Sequence, residues 1–594
     1  MRFVWAVAAF VLAALLIGAG IAQRTVFEGP TTVSQSIDVA GTAPYVLIDG
    51  DVLGMHPGAQ TVHIEGSGPV FASYGRTTDA IAWLARSDYV QVGLADGAVT
   101  SNVIAAAADD TTTSSGASVA ALSPQGSDLW LDEFDGTGTL DETLQLPAGM
   151  SLLVASDGTD AAPGTVTVTW PIRNSTPWAG PLILLGCILL VAGLVLYLLA
   201  VRHARRSRGP RRKGTPLPVT EPIDVAGADK GVISATPTRR RLTGGKRTLV
   251  AVPAVAVSAL LFTGCTADAW PQLAPSATPS PSATVVASKD QESPVVTEAQ
   301  AERIVGRIAE DVAKADEARD ATAAAERLDG TALAARVTNY TLLTAIPEQE
   351  PLPAIPSGKL QVILPEANDE WPRTFFAVAA PLGSDDASTV MSITQQDPWS
   401  PYKLTYLAEL TSDADLNLAP AYVGAIAIPK DSPFLAIAPD NLAGAYADVL
   451  TKGDGSEFAA LFDSADDAFR TQVDKSRADR LAAFNATGAQ TGTMTFSAQA
   501  GTTEPVALAT LDSGAIVAVT VDDLDTVAPT NADAVIKVDQ SPMLKTLAGV
   551  DQSSTGFVTT YGNQLFFFVP SQSSKERIQL LGYSSNILSA KVAG

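Results

Sequence analysis

Three apolar runs partition this chain: Phe3–Ala22, Trp178–Val201 and Leu249–Thr263. About 20 consecutive apolar residues make a helix about 30 Å long, the thickness of a bilayer's hydrocarbon. A chain interrupted in this way cannot gather all of its 594 residues around one core, so the polar stretches between the runs must fold as bodies of their own. The first run follows Arg2 and ends in Gly20-Ile21-Ala22, which suits either a retained span or a cleaved signal. The second is flanked by Trp178 and Tyr197 and runs directly into the basic cluster Arg202–Lys213, a stop-transfer pattern. The third is shorter, contains Pro253, and matches the length of a signal-peptide apolar region.

Charge divides the chain in the same way. The formal net charge is −24, yet residues 201–248 hold thirteen Lys or Arg against three acidic residues. Positive-inside retention then places this loop in the cytoplasm and predicts a multi-pass cell-membrane protein with large extracytoplasmic domains. The acidic remainder disfavours nucleic acid as a partner. Membrane lipids and envelope proteins are the expected partners.

The expected organisation is a transmembrane helix or signal at 3–22, a β-rich outer domain at 24–176, and a second transmembrane helix at 178–201. A basic loop follows at 202–247, then a third, lipoprotein-signal-like segment at 249–265 and a Pro/Ser tether at 266–294. Two α+β units, 295–435 and 436–594, complete the chain. At the end of the third run, Leu261-Phe262-Thr263-Gly264-Cys265 resembles a bacterial lipobox, with Phe262 where Leu is usual. That resemblance makes Cys265 the lipidation candidate. The other cysteine, Cys187, lies within the second run, so no disulfide framework supports the polar regions.

Residues 24–176 show short alternating strands, among them Tyr45–Ile48, Thr61–Glu65, Val70–Ser73 and Thr165–Trp170, separated by turn residues. This is the pattern of an all-β sandwich or barrel, and a sandwich-like domain is expected. One helix is predicted after Thr77-Thr78-Asp79, which offer caps. The stretch Pro69-Val70-Phe71-Ala72-Ser73-Tyr74-Gly75-Arg76 through Leu84 resembles a segment of uncharacterised actinobacterial membrane proteins, a likeness that implies no chemistry. His56 and His63 lie here, seven residues apart; a metal site would need a further ligand such as Asp49, Asp51 or Glu65, and two partly exposed histidines are the better reading.

Order resumes after the tether with Thr297-Glu298-Ala299-Gln300, a capping box, followed by Ile304, Ile308 and Val312 on one helical face. A second helix is expected over Thr331–Leu343, then strands at Leu360–Leu364, Arg373–Ala379, Thr389–Thr394 and Lys403–Leu410. The order repeats, with helices at Asn441–Leu450 and Glu457–Phe484 and strands from Met494 to Val569, giving an α+β region of two helix-then-antiparallel-sheet units. This element order resembles the cystatin-like or nuclear-transport-factor-2-like cone, in which a curved sheet wraps a helix. The region also resembles C-terminal domains of unknown function in actinobacterial lipoproteins, most distinctively through Asp397-Pro398-Trp399-Ser400-Pro401-Tyr402-Lys403.

Chemistry is narrowly bounded. The C-terminal region has no histidine and no cysteine beyond Cys265, which removes Ser-His-Asp and Cys-His catalysis and the usual zinc sites. Ser400 and Lys403 match Ser-x-x-Lys only on paper, because Pro401 and a strand pattern replace the helix that motif needs. Asp413-Ala414-Asp415 opens like a calcium loop but lacks the turn glycine, and Asp522, Asp523 and Asp525 read as a solvated acidic bend. No catalytic residue, metal or cofactor is expected. Trp371, Phe376, Trp399, Tyr402 and Phe567 are the candidates for lining a pocket or an interface. The functional expectation is a non-enzymatic, membrane-anchored envelope scaffold or assembly factor; the alternative is an extracytoplasmic binding module for a lipid, glycan or small apolar ligand.

Overall fold

The computed structural model describes residues 2–27, 30–39, 42–107, 123–147, 149–172, 177–207, 294–381, 387–411 and 416–594. The basic loop beyond Ser207, the third apolar run, Cys265, nearly all of the tether and Asp413–Asp415 lie outside them. The chain divides into two units, one of residues 1–35, 56–60 and 169–282, the other of residues 36–55, 61–168 and 283–594.

The first unit is built on α1 (Arg2–Thr25) and α4 (Ala179–Ser207). Small residues recur every seventh position on both helices, at Ala6, Ala13 and Gly20 and at Ala179, Gly186 and Gly193, and all six are buried. A Cβ on Gly186 would stand 2.6 Å from the Ile17 side chain, and one on Gly193 would stand 3.3 Å from Ala9, so the glycines set how closely the antiparallel backbones approach. The seven-residue spacing keeps both stripes on one seam.

In the second unit the N-terminal lobe contains β1 (Thr32–Asp38), β2 (Tyr45–Asp49), α2 (Gly50–Leu53), β3 (Gln60–Arg76), α3 (Thr77–Leu84), β4 (Tyr89–Ala95), β5 (Ala98–Ile104), β6 (Asp132–Leu144), β7 (Met150–Ala155) and β8 (Thr165–Pro171), of which β1, β3 and β8 reach into the first unit. The strands form one eight-stranded sheet, with β3-β7-β2-β4-β5 consecutive along it. The expected sandwich of two sheets is therefore corrected: β3 runs unbroken through both predicted strands, and its second half, Phe71–Arg76, pairs with Ala155–Met150 of β7. Alternation marks which residues face a core, but not which sheet a strand joins.

The C-terminal part contains α5 (Glu298–Ala318), α6 (Ala321–Arg327), α7 (Gly330–Ala345), β9 (Leu360–Pro365), β10 (Arg373–Ala379), β11 (Thr389–Gln395), β12 (Lys403–Leu410), α8 (Pro439–Lys452), α9 (Ala468–Thr487), β13 (Gly492–Ala500), β14 (Val506–Ala509), β15 (Ala515–Pro529), β16 (Ile536–Lys537), α10 (Pro542–Ala548), β17 (Gln552–Ser553), β18 (Phe557–Val569) and β19 (Gln579–Val592). The Thr297 capping box forms as expected: its hydroxyl accepts from Gln300 N at 3.2 Å, and Gln300 Oε1 accepts from Thr297 N at 3.4 Å. The predicted helix Glu457–Phe484 is broken; helix resumes at Ala468 behind the Asp467 cap.

Two separate α+β units are not what forms. Strands from both halves make one nine-stranded sheet, β13-β15-β18-β19-β12-β11-β10-β9, with β14 on β15. It curls until its ends meet: Ala425 N donates to Pro365 O at 2.7 Å, and Ile428 N donates to Ala507 O at 2.9 Å, so residues 425–428 form a seam between β9 and β14. Inside this near-closed ring lie Leu364, Phe376, Tyr406, Leu508, Ala518 and Phe566, with Phe376 and Phe566 packed edge to face at 5.8 Å. The helices pack outside it, α5 over the β9–β12 half and α8 with α9 over the β15–β18 half. This differs from a cone wrapped around a helix. A bulge between Ser392 and Ile393, opposite Leu404 and Tyr406, turns Leu404 toward α5 and Tyr406 into the ring, although the two are spaced for a common face.

The lobe and the ring are locked together within the second unit. Asp79, 1% exposed, accepts from Arg373 Nη1 at 2.7 Å. Asp128, also buried, accepts from Arg327 Nη1 at 2.7 Å, from Arg307 Nη1 at 3.2 Å and from Tyr402 N at 3.0 Å. Trp399 donates its Nε1–H to Trp83 O at 2.8 Å and lies under the Arg86 guanidinium. Asp79 is thus a docking residue and not the helix cap expected of it.

The expected multi-pass membrane topology is corrected. Among the described residues two helices are long and apolar enough to cross a membrane, and one of them is N-terminal, where a signal sequence passes the same test; the third expected segment lies outside the described residues. Most of the described chain folds instead into two ring-like or strongly curved sheets with cores of their own. The reading as an anchored scaffold or assembly factor, its cell-membrane placement and the resemblance to multi-pass proteins rested on that topology and are withdrawn with it. If the ring's interior carries the fold, Phe566→Ala lowers stability by about 3–5 kcal/mol, read as a lower urea midpoint at unchanged slope.

Candidate functional site

The ring has one weak junction. β12 and β19 pair at Glu409 with Tyr583 and Leu410 with Gly582, Thr411 N donates to Leu581 O at 2.9 Å, and on the side of Leu407 and Ser584 the two strands diverge. Beyond that point, among the described residues, β19 is paired through β18 alone, and its other edge from Ser584 onward faces no strand. At the apex of the split, side chains replace the ladder: Gln564 Oε1 accepts from Leu407 N at 3.0 Å, and Ser584 Oγ donates to Leu407 O at 2.7 Å. Further along, Thr338 of α7 donates its hydroxyl to Leu588 O at 2.8 Å. Buried backbone groups need partners, and here polar side chains supply them where strand pairing stops.

Two adjoining cavities of about 320 Å³ each open over this split, beneath α7 and beside α9. They share Ala335, Leu352, Gln472, Ser585 and Asn586. Gln472 Oε1 is held by the Tyr583 hydroxyl. Asn339 on α7 bonds Glu350 O and Leu352 N at 3.1 and 3.3 Å, fixing the extended segment that borders the cleft. Ser585 and Asn586, consecutive on β19 and so on opposite faces of the sheet, both border the cavities.

One end of the cleft is charged but internally neutralised. Arg477 pairs with Asp523, and Arg480 reaches Asp525 at 2.7 Å and Asp523 at 3.5 Å. Asp523 and Asp525 are each 4% exposed, so the expected solvated acidic bend is instead a buried ion-pair cluster on β15. Burial pushes the Asp525 carboxyl above its ordinary range, and Arg480 opposes the shift. A larger cavity of about 720 Å³ lies beside the seam; of its lining threonines, Thr374 and Thr394 bond each other at 2.8 Å and Thr503 bonds Thr331 at 2.9 Å.

The five aromatic candidates are not brought together. Trp371 stacks on Arg373 and donates to Gln395 Oε1 at 3.0 Å, beside the lobe. Trp399 lies in the docking contact, and Phe376 fills the ring. Tyr402 packs on Phe375 under α5 with its hydroxyl unpartnered, and Phe567 sits among Tyr446 and Phe462 under α8. An apolar ligand pocket lined by these residues is therefore not formed. Ser400 bonds Asp397 at 2.8 Å and Lys403 bonds Ala325 O at 2.7 Å, so this pair makes no Ser-Lys dyad. His63 joins Asp141 at 2.6 Å and Glu65 at 3.1 Å, while the His56 ring meets Trp170. The cleft residues of β19 were missed because Gly582, Ser584, Ser585 and Asn586 interrupt the apolar alternation that marks a strand.

A family model described as "Domain of unknown function (DUF8094)" matches residues 292–592. The match spans half of the chain, and the chain belongs to that family. No curated protein and no solved structure matches it.

Two outcomes test this geometry. Arg477→Met leaves Asp523 to Arg480 alone, at 3.5 Å, and costs up to about 3–5 kcal/mol, whereas Arg477→Met with Asp523→Leu recovers most of that loss; chemical denaturation of the three proteins reads it. The hydrogen bonds that the His63 ring donates to Glu65 and then to Asp141 raise its pKa above 6.5. The stabilisation from this contact is full below pH 6.5 and is lost as pH rises through the raised folded-state value. An NMR titration checks the shift, which Asp141→Asn reduces.

Proposed function

We propose that this protein is a non-catalytic recognition module whose cleft takes an extended polypeptide segment of a protein partner. The observation carrying this reading is the edge of β19 beyond Tyr583, which faces no strand among the described residues, is met by a side chain at Leu588 O, and floors a cleft bordered by Asn339, Gln472 and Asn586. A free strand edge offers alternating N–H and C=O groups that an extended peptide satisfies with its own backbone. Asn586, Ser585 and Gln472 supply further hydrogen bonds at positions where a peptide backbone would run. Recognition fits better than catalysis because the arginines that line the cleft are paired, Arg480 with Asp523 and Asp525 and Arg336 with Asp316, which leaves Glu409 as a single carboxylate with no second acid or base paired to it among the described residues. The acidic overall charge of −24 argues against nucleic acid as the occupant.

Panning a displayed library of random ten-residue peptides against the purified full chain tests the reading. Enriched peptides are expected to bind the native chain and to lose about tenfold or more in affinity, or about 1.4 kcal/mol, against Asn586→Trp, which fills the cleft, while Asn586→Ala keeps part of the binding. Peptides that bind Asn586→Trp as well as the native chain, or a library that yields none, would overturn it.

A further inference from the structure

The family match begins at residue 292, so both buried acids of the lock, Asp79 and Asp128, lie outside it. The residues that receive them, Arg307, Arg327 and Arg373, lie inside it. Without the lobe, the ring would expose Arg303, Arg307, Arg327 and Arg373 without their lobe acceptors, beside Trp371 and Trp399. We infer that this face is a docking site for the N-terminal lobe as a separate body, and that lobe and ring stay associated when the covalent connection between them is cut.

Thirteen hydrogen bonds cross between lobe and ring among the described residues. Interfaces that hold two separate proteins together carry about ten. The geometry is that of recognition and not of incidental contact. Asp128 presents one oxygen to Arg307 and the other to Arg327 and to Tyr402 N, so its carboxylate is enclosed by donors from three elements of the ring. Gln300 uses its Nε2–H to bond Asp128 O at 2.8 Å while its other amide atom completes the cap of α5, so one residue both starts the helix and docks the lobe. Arg303 donates to Trp130 O and Leu131 O, and Arg76 of the lobe pairs with Asp369 of the ring, so charge complementarity runs in both directions. At the centre, Trp371 and Trp399 pack against the lobe's own core, which includes Trp83 and Trp130. Buried aromatic anchors ringed by paired charges are what concentrates binding energy at an interface. The partner is thereby defined by its chemistry: a β-rich body that presents two carboxylates and tryptophan-backed carbonyls.

The test keeps the whole chain. A protease site placed between residues 266 and 290 is cut to completion in mild non-ionic detergent, and the products are run on a sizing column at micromolar concentration. The two fragments are expected to elute together. In the Asp79→Lys/Asp128→Lys chain they separate after the same cut, and in Trp399→Ala they associate about tenfold more weakly. Separation of the native fragments overturns the inference, as does association that is unchanged by both sets of substitutions. Because the readout is fragment association and not peptide capture, failure here leaves the cleft reading to stand or fall alone.

Discussion

The parting of β12 and β19 after two pairs shapes the C-terminal part. A sheet that curls into a ring must satisfy its last edges somewhere. This one closes at residues 425–428 with backbone hydrogen bonds on both sides, yet inside the ring it leaves one junction incomplete. Gln564 and Ser584 stitch the apex with side chains, α7 covers the opening, and the cleft is what remains. The cleft is thus a by-product of where the ladder runs out.

Two cores on opposite faces hold that geometry in place. Phe376 and Phe566 face inward on strands whose neighbours Phe375 and Phe567 face outward, so each strand is anchored to the ring interior and to a covering helix at once. The bulge at Thr405 is what allows Tyr406 to join the interior while Leu404 stays under α5. Sliding one strand would move apolar side chains to the wrong face in both layers, which is why the register is so strongly specified.

The lobe's contribution is electrostatic as well as apolar. Buried carboxylates are costly unless fully bonded, and Asp79 and Asp128 are tolerated because arginines from a different part of the chain reach them. Such pairs contribute specificity of docking more than raw stability. They also join the two segments that stand out most in the sequence, Pro69–Leu84 and Asp397–Lys403, through Trp83 and Trp399.

Local signals were legible in the residues themselves. The Thr297 box, the α5 face through Ile304, Ile308 and Val312, and strands β10 and β12 follow from periodicity and capping, which are properties of neighbours in sequence. The sequence also ruled out histidine- and cysteine-based chemistry in the C-terminal region. What it could not decide was partnership. Nothing local says that strands from two halves share one sheet, that Gly562-Asn563 continues β18 instead of turning it, or that polar Ser584–Asn586 belongs to a strand. Asp523 and Asp525 look like solvated acids until Arg477 and Arg480 are brought to them from α9. Those assignments depend on contacts between residues far apart in the chain, and only tertiary packing sets them, because the free energy of burying a side chain belongs to its neighbours in space.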